Sequence, residues 1–183
     1  MSEVFPKARW PKKGYTQNEV DSFFERARAA YEGGMPAEQF SSPEVRAVRF
    51  SMVRGGYATE VVDGALDRLE AAFVKRDRAD HVAVNGQQAW LDRVASRATT
   101  LYPRLLRPAG ERFDHPASGK GYDAEQVDQF LDRIASFFDD GEVLTADQIR
   151  GVTFGRARGT KAYEEGVVDA YLNRAIEILL SVE

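Results

Sequence analysis

A tyrosine, an aspartate and an arginine recur at fixed offsets four times in this 183-residue chain, as Tyr-x4-Val-Asp-x4-Arg. The four sets are Tyr15, Asp21 and Arg26; Tyr57, Asp63 and Arg68; Tyr122, Asp128 and Arg133; and Tyr163, Asp169 and Arg174. A carboxylate with a phenol and a guanidinium nearby is raw material for acid–base chemistry. The pattern argues against that use. Four equivalent carboxylates have no histidine partner, because His81 and His115 lie far apart in sequence and outside any motif. The chain has no cysteine, which excludes disulfides, thiolate metal sites and thiol nucleophiles. Two histidines leave almost no material for a zinc centre. The run GVTFGRARG lacks the lysine and the strand context of a phosphate-binding loop. The pair Asp139-Asp140 reads as a solvated helix end. The expectation is a protein that is not an enzyme, with no catalytic, metal or cofactor residues and no cofactor.

The repeated residues must be held by helices. The four copies span 14–31, 56–73, 121–138 and 162–179. In the first, Val20, Phe23, Phe24, Ala27, Ala30 and Tyr31 form one stripe at helical spacing. The other three keep the same phase. Thr16 with Glu19 and Asp123 with Gln126 read as capping boxes, and Tyr15 with Val20 reads as a hydrophobic staple that Tyr122 and Val127 repeat. The glycine before each of the first three tyrosines is expected to serve a turn. An Asp and an Arg five residues apart do not face each other on one helix. They are therefore expected to pair across copies, Asp of one with Arg of another. Short helices precede the even copies, one capped by Ser42 before Pro43, the other by Thr145 with Gln148. Each leads to a phenylalanine, Phe50 or Phe154, and then to a basic loop.

Copies also pair. Asp21 and Asp128 lie 107 residues apart, and Asp63 and Asp169 lie 106 apart, so a two-copy half is used twice. The domain reading is a first half over 1–73, a helical linker over 74–112 and a second half over 113–183. Asn85-Gly86 marks a turn in the linker. After it, Leu91, Val94, Ala98, Leu101, Tyr102 and Leu105 share a face of one connecting helix able to dock on both halves, with Trp90 expected in a core and Pro103 ending or kinking the helix. The expected fold class is all-α: four helical repeat units arranged as two pseudo-symmetric halves joined by a helical linker.

Net charge is -4 and the isoelectric point is near 5.4, so nothing global drives the chain onto nucleic acid, and no nucleic-acid partner is expected. The N-terminus has no apolar core of a signal peptide, and no apolar run reaches the length of a membrane span. A cytoplasmic location is expected.

The run LTADQIRGVTFGRARGTKAYEEGVVDAYLNR resembles the N-terminal domain of DivIVA, a bacterial division and polar-growth scaffold. FSSPEVRAVRFSMVRGGYATEVVDGALDRL and GKGYDAEQVDQFLDRI are similar to it too. The resemblance touches all four copies and leaves out the linker. It identifies the chain as similar to a DivIVA-domain repeat protein, and it implies a helical head that dimerises. It also implies a tip turn whose apolar residue and arginine touch anionic, curved membrane. The matching loops here are Ser51-Met52-Val53-Arg54 and Gly155-Arg156-Ala157-Arg158. Met52 with Arg54 would anchor; the loop of Arg156 and Arg158 lacks the apolar tip. Trp10 beside Lys12 and Lys13 is a further interfacial anchor. The long heptad tails of DivIVA are missing, so filament building by tails is not expected. The function expected is a non-enzymatic adaptor or scaffold linked to cell division or polar growth. Its partners would be division proteins or a DivIVA-like head, met at the septum or pole. The alternative is a peripheral module on anionic membrane using the basic loops. A DNA-binding regulator ranks below both.

Overall fold

The computed structural model describes residues 5–36, 39–139 and 141–183. Asp140, half of the expected solvated helix end, lies outside the described residues. The chain forms two compact units, Met1–Asp80 and His81–Glu183.

In the first unit, strand β1 (Lys13–Tyr15) enters helix α1 (Gln17–Tyr31). Helix α2 (Ser42–Ala47) precedes strand β2 (Met52–Arg54), and helix α3 (Thr59–Ala98) follows. Strands β1 and β2 are antiparallel, with Lys13 opposite Arg54, Gly14 opposite Val53 and Tyr15 opposite Met52. On its other side Tyr15 exchanges two backbone hydrogen bonds with Tyr57, 2.9 and 2.8 Å. Phe23, Ala27, Phe40, Val45 and Phe73 form one buried cluster, and Val20, Tyr57 and Val62 another.

The second unit begins inside α3, which is interrupted at Gly86 (φ 86°, ψ 163°). The turn expected at Asn85-Gly86 is thus a one-residue break with helix on both sides. Helix α4 (Tyr102–Leu105), strand β3 (Gly121–Asp123), helix α5 (Ala124–Asp139) and helix α6 (Ala146–Arg150) follow. Strand β4 (Arg156–Ala157), a 3-10 turn (Gly159–Lys161), strand β5 (Ala162–Tyr163) and helix α7 (Glu165–Val182) complete it. The sheet order is β4-β3-β5, antiparallel, with Tyr122 opposite both Arg156 and Tyr163. Trp90, 1% exposed, sits in this core with Val94, Leu101, Leu131, Ile134 and Leu179, and its indole N–H donates to the Ser181 carbonyl at 3.0 Å. Leu91, expected on the buried face, is 43% exposed; the buried stripe runs through Trp90 instead.

The all-α, four-repeat expectation is corrected here. About 61% of the described residues are helical, and among them five short strands build two small antiparallel sheets. Strands of two or three residues leave no period-two signature in a sequence. They are strands because a distant segment pairs with them, which periodicity within one segment does not register. The glycine before each tyrosine follows from the same pairing. None of Gly14, Gly56 and Gly121 has a positive φ. A Cβ on Gly14 would overlap the Tyr57 carbonyl oxygen, one on Gly56 the Tyr15 carbonyl oxygen, and one on Gly121 the Tyr163 carbonyl oxygen. These glycines let two backbones cross, and they are not turn formers as expected.

Helix entry also differs. Thr16 and Glu19 do not close a capping box. The Thr16 hydroxyl donates to the Ser51 carbonyl at 3.1 Å, and the Glu19 carboxylate accepts the Ser51 N–H at 2.7 Å. At α5 half a box forms: Gln126 N–H donates to Asp123 Oδ1 at 3.1 Å, while the Gln126 side chain accepts the Gly155 N–H at 2.8 Å. Both side chains therefore tie the helix start to the incoming outer strand. Helix α2 is capped at Ser41, one residue before the expected Ser42, with Ser41 N–H donating to Glu44 at 2.8 Å. Thr145 and Gln148 form the complete reciprocal box at α6.

Candidate functional site

Each strand crossing delivers the tyrosine of one copy to the N-terminal part of the other copy's helix. There it meets the repeated aspartate. The Tyr57 hydroxyl donates to Asp21 at 3.3 Å, and the Tyr163 hydroxyl reaches both oxygens of Asp128 at 3.0 and 3.1 Å. Reciprocally, Tyr15 is near enough to Asp63, and Tyr122 to Asp169, to feel the carboxylate. Burial first, and the aspartate second, push the Tyr15 and Tyr122 hydroxyls up in pKa. Burial is also the main cause for Tyr163, with Asp128 adding to it and backbone N–H groups of Arg112 and Gly110 opposing it.

The cross-copy lock expected from sequence is therefore real in kind but not in partner. Asp meets Tyr, and among the described residues no repeated Asp pairs with a repeated Arg. Five residues of helix turn through about 140° beyond one full turn, which points the Arg away from the crossing. Arg26 lies over the Phe23 ring at 5.8 Å and Arg133 over the Phe130 ring at 5.7 Å. Arg133 also meets Glu142 at 3.4 Å, and Arg174 meets Glu177 at 2.8 Å. Arg68 is exposed on α3.

Residues beyond the repeated pattern complete these joints. Phe5 packs edge-on to Tyr57 at 5.5 Å, and Phe113 edge-on to Tyr163 at 5.4 Å. Their common place at the head of each half was the available signal. Arg112, 7% exposed, donates to the Asp128 carbonyl at 2.8 Å and to Asp132. Its burial carries no sequence signal. His115 stacks on Tyr163 and donates from Nδ1 to the Ala162 carbonyl at 2.7 Å, so it too belongs to the joint. The tyrosine hydroxyls and aspartates at the crossings link one copy to another. Among the described residues no His, Asp or Glu cluster is arranged as metal ligands.

The loop residues singled out from sequence are distributed unevenly. Trp10, Lys12, Lys13, Met52, Val53 and Arg54 come together on the β1–β2 ribbon and the turn just before it. That turn closes with Lys12 N–H donating to the Arg9 carbonyl at 2.9 Å. Trp10 is 87% exposed, Met52 46% and Val53 40%. Lys12 makes a long solvent-exposed contact, 3.8 Å, with Glu60. Arg156 and Arg158 lie in the second unit. Arg156 is paired with Glu165 and lies over the Tyr122 ring at 5.4 Å, while Arg158 is exposed. No family model, curated protein or solved structure matches the chain.

Proposed function

We propose that this protein is a non-enzymatic adaptor of the DivIVA-like type. It acts in the bacterial cytoplasm at the septum or pole and docks onto a protein partner through the ribbon of its first unit. One observation carries the reading: Trp10, Met52 and Val53 are all exposed on one ribbon and the turn that leads into it, which also carry Lys12, Lys13 and Arg54. Large apolar side chains left together in water mark a contact surface, and aromatic and methionine side chains are common contact anchors. No helix among the described residues is long and apolar enough to cross a membrane. A fluorescent fusion in the source bacterium is expected to concentrate at septa or poles, and Met52→Asp plus Arg54→Glu is expected to disperse it. An evenly distributed wild-type fusion would overturn the reading.

The second reading is contact with an anionic membrane surface. It is favoured by the place of Trp10 between Arg9 and Lys12, the mix of ring and cation that suits a lipid headgroup region. Co-sedimentation with phosphatidylglycerol vesicles, wild type against the same double variant, tests it. Absence of wild-type sedimentation removes the membrane reading.

A further inference from the structure

Strand β2 is the outer strand of the first unit's ribbon, with β1 on one side and, among the described residues, no strand on the other. The register decides which of its backbone groups face outward. Thr16 N–H donates to the Ser51 carbonyl at 2.9 Å, so these residues form a hydrogen-bonded pair. Antiparallel pairs alternate between bonded and non-bonded types. Gly14 with Val53 is then bonded, while Tyr15 with Met52 and Lys13 with Arg54 are not. The inner strand displays the result directly: Tyr15 turns its N–H and carbonyl away from β2 and bonds Tyr57. On β2 the N–H and carbonyl groups of Met52 and Arg54 turn to the open side. No backbone group among the described residues pairs with them.

The side chains sharpen what could pair there. Residues directly opposite each other point to the same face. Lys13 and Arg54 therefore stand together, both exposed, and neither meets a carboxylate among the described residues. Two cations so opposed repel. Met52 lies two residues along the same face from Arg54. In the second unit, one step beyond the β3–β4 pairs, the register sets Lys120 opposite Arg158. There, however, the place of Met52 is taken by Arg156, which Glu165 already holds.

We propose that the open edge of β2 takes an extended acidic segment of a partner protein as an added strand. An apolar side chain of that segment lies against Met52, and a carboxylate two residues along lies beside Arg54, on the side away from Lys13. The proposal rests on the adaptor reading and names the chemistry of its partner. A second copy of the same edge is a poor occupant, since it would add two more cations to those already opposed; edge cations are a known guard against such self-pairing. An acidic strand relieves the repulsion. Main-chain bonds would supply affinity, and the apolar and acidic positions would supply selectivity.

Trp10 is the natural reporter, being 87% exposed where the only other tryptophan, Trp90, is 1% exposed. The probe is a synthetic peptide of leucine and glutamate alternating with threonine, so that leucine and glutamate share a face. A saturable blue shift of Trp10 emission is expected. Arg54→Glu should weaken it about tenfold or more, and Lys13→Glu, one strand further away, by less, with circular dichroism unchanged. Lysine in place of glutamate in the peptide should abolish it. N-methylation of the peptide amides along one edge, the two edges tested in turn, should abolish it in one case. Binding that survives methylation of either edge overturns strand addition. Binding indifferent to Arg54→Glu overturns the carboxylate position. A Trp10 shift with phosphatidylglycerol vesicles and none with peptide overturns the proposal in favour of membrane. If the peptide fails while Met52→Asp plus Arg54→Glu still disperses the fusion, strand addition falls and the adaptor reading stands.

Discussion

Asp128 and Asp21 occupy the same place in the repeated pattern but differ in how much holds them. Asp128 is 5% exposed and accepts from Tyr163 and, at 2.7 Å, from the Gly110 N–H, with the Arg112 guanidinium 3.8 Å away. Asp21 is half-buried, and its second oxygen has no hydrogen-bond partner among the described residues. Tyr163→Phe leaves a buried carboxylate short of a donor and removes the acceptor of the Arg112 N–H. Urea unfolding should show it costing about 2 kcal/mol. Tyr57→Phe removes one 3.3 Å bond to a more solvated carboxylate. It should cost about 1 kcal/mol or less. The tyrosines also set the alkaline limit. Burial raises the hydroxyl pKa of Tyr15, Tyr122, Tyr163 and Tyr171, so the folded state favours the protonated phenol. That stabilisation is fully present below the ordinary phenol pKa of about 10 and is lost as pH rises through the higher folded values. Phenolate absorbance should therefore appear late and together with loss of the helical circular dichroism signal. Titration of all tyrosines near their ordinary pKa, with the fold intact, would contradict this.

At the scale of elements, the strand crossings limit what the glycines tolerate. A methyl group on Gly121 meets backbone of Tyr163, which cannot swing aside as a side chain would. Gly121→Ala should destabilise by about 3 kcal/mol or more, read as a lowered urea midpoint. Gly14→Ala should act likewise in the first unit. Gly166, inside α7, has open space where its Cβ would stand. Gly166→Ala should be stabilising by up to about 1 kcal/mol through helix propensity. A neutral Gly121→Ala would mean that the crossing can widen at little expense.

For the whole molecule, each unit carries its own crossing and its own buried clusters. Tyr15, Asp21, Tyr57 and Asp63 fall before Asp80, while Tyr122, Asp128, Tyr163 and Asp169 fall after His81. A chain divided between Asp80 and His81 should thus give a C-terminal fragment that melts cooperatively, since twenty buried residues form one continuous cluster there. The N-terminal fragment, whose buried residues form two smaller clusters, should melt at lower temperature. Calorimetry of the two fragments checks both expectations. A C-terminal fragment without a cooperative transition would contradict them.

The helices were legible in the residues because a single apolar stripe, Val20-Phe23-Phe24-Ala27 for example, specifies a helix without reference to any other segment. The recurrence of Tyr, Asp and Arg also showed that copies must meet. It did not show how. Which partner Asp21 or Asp128 takes depends on where another backbone crosses, and only the tertiary structure decided that it is a tyrosine. The same holds for Gly14, Gly56 and Gly121, whose missing side chains matter only because a second strand lies against them. Trp10, Lys13, Met52 and Arg54 could be named from sequence as separate loop residues. Their union on one ribbon, with Lys13 opposite Arg54, arises from hydrogen bonds between segments some forty positions apart, and such register is set by the folded chain as a whole.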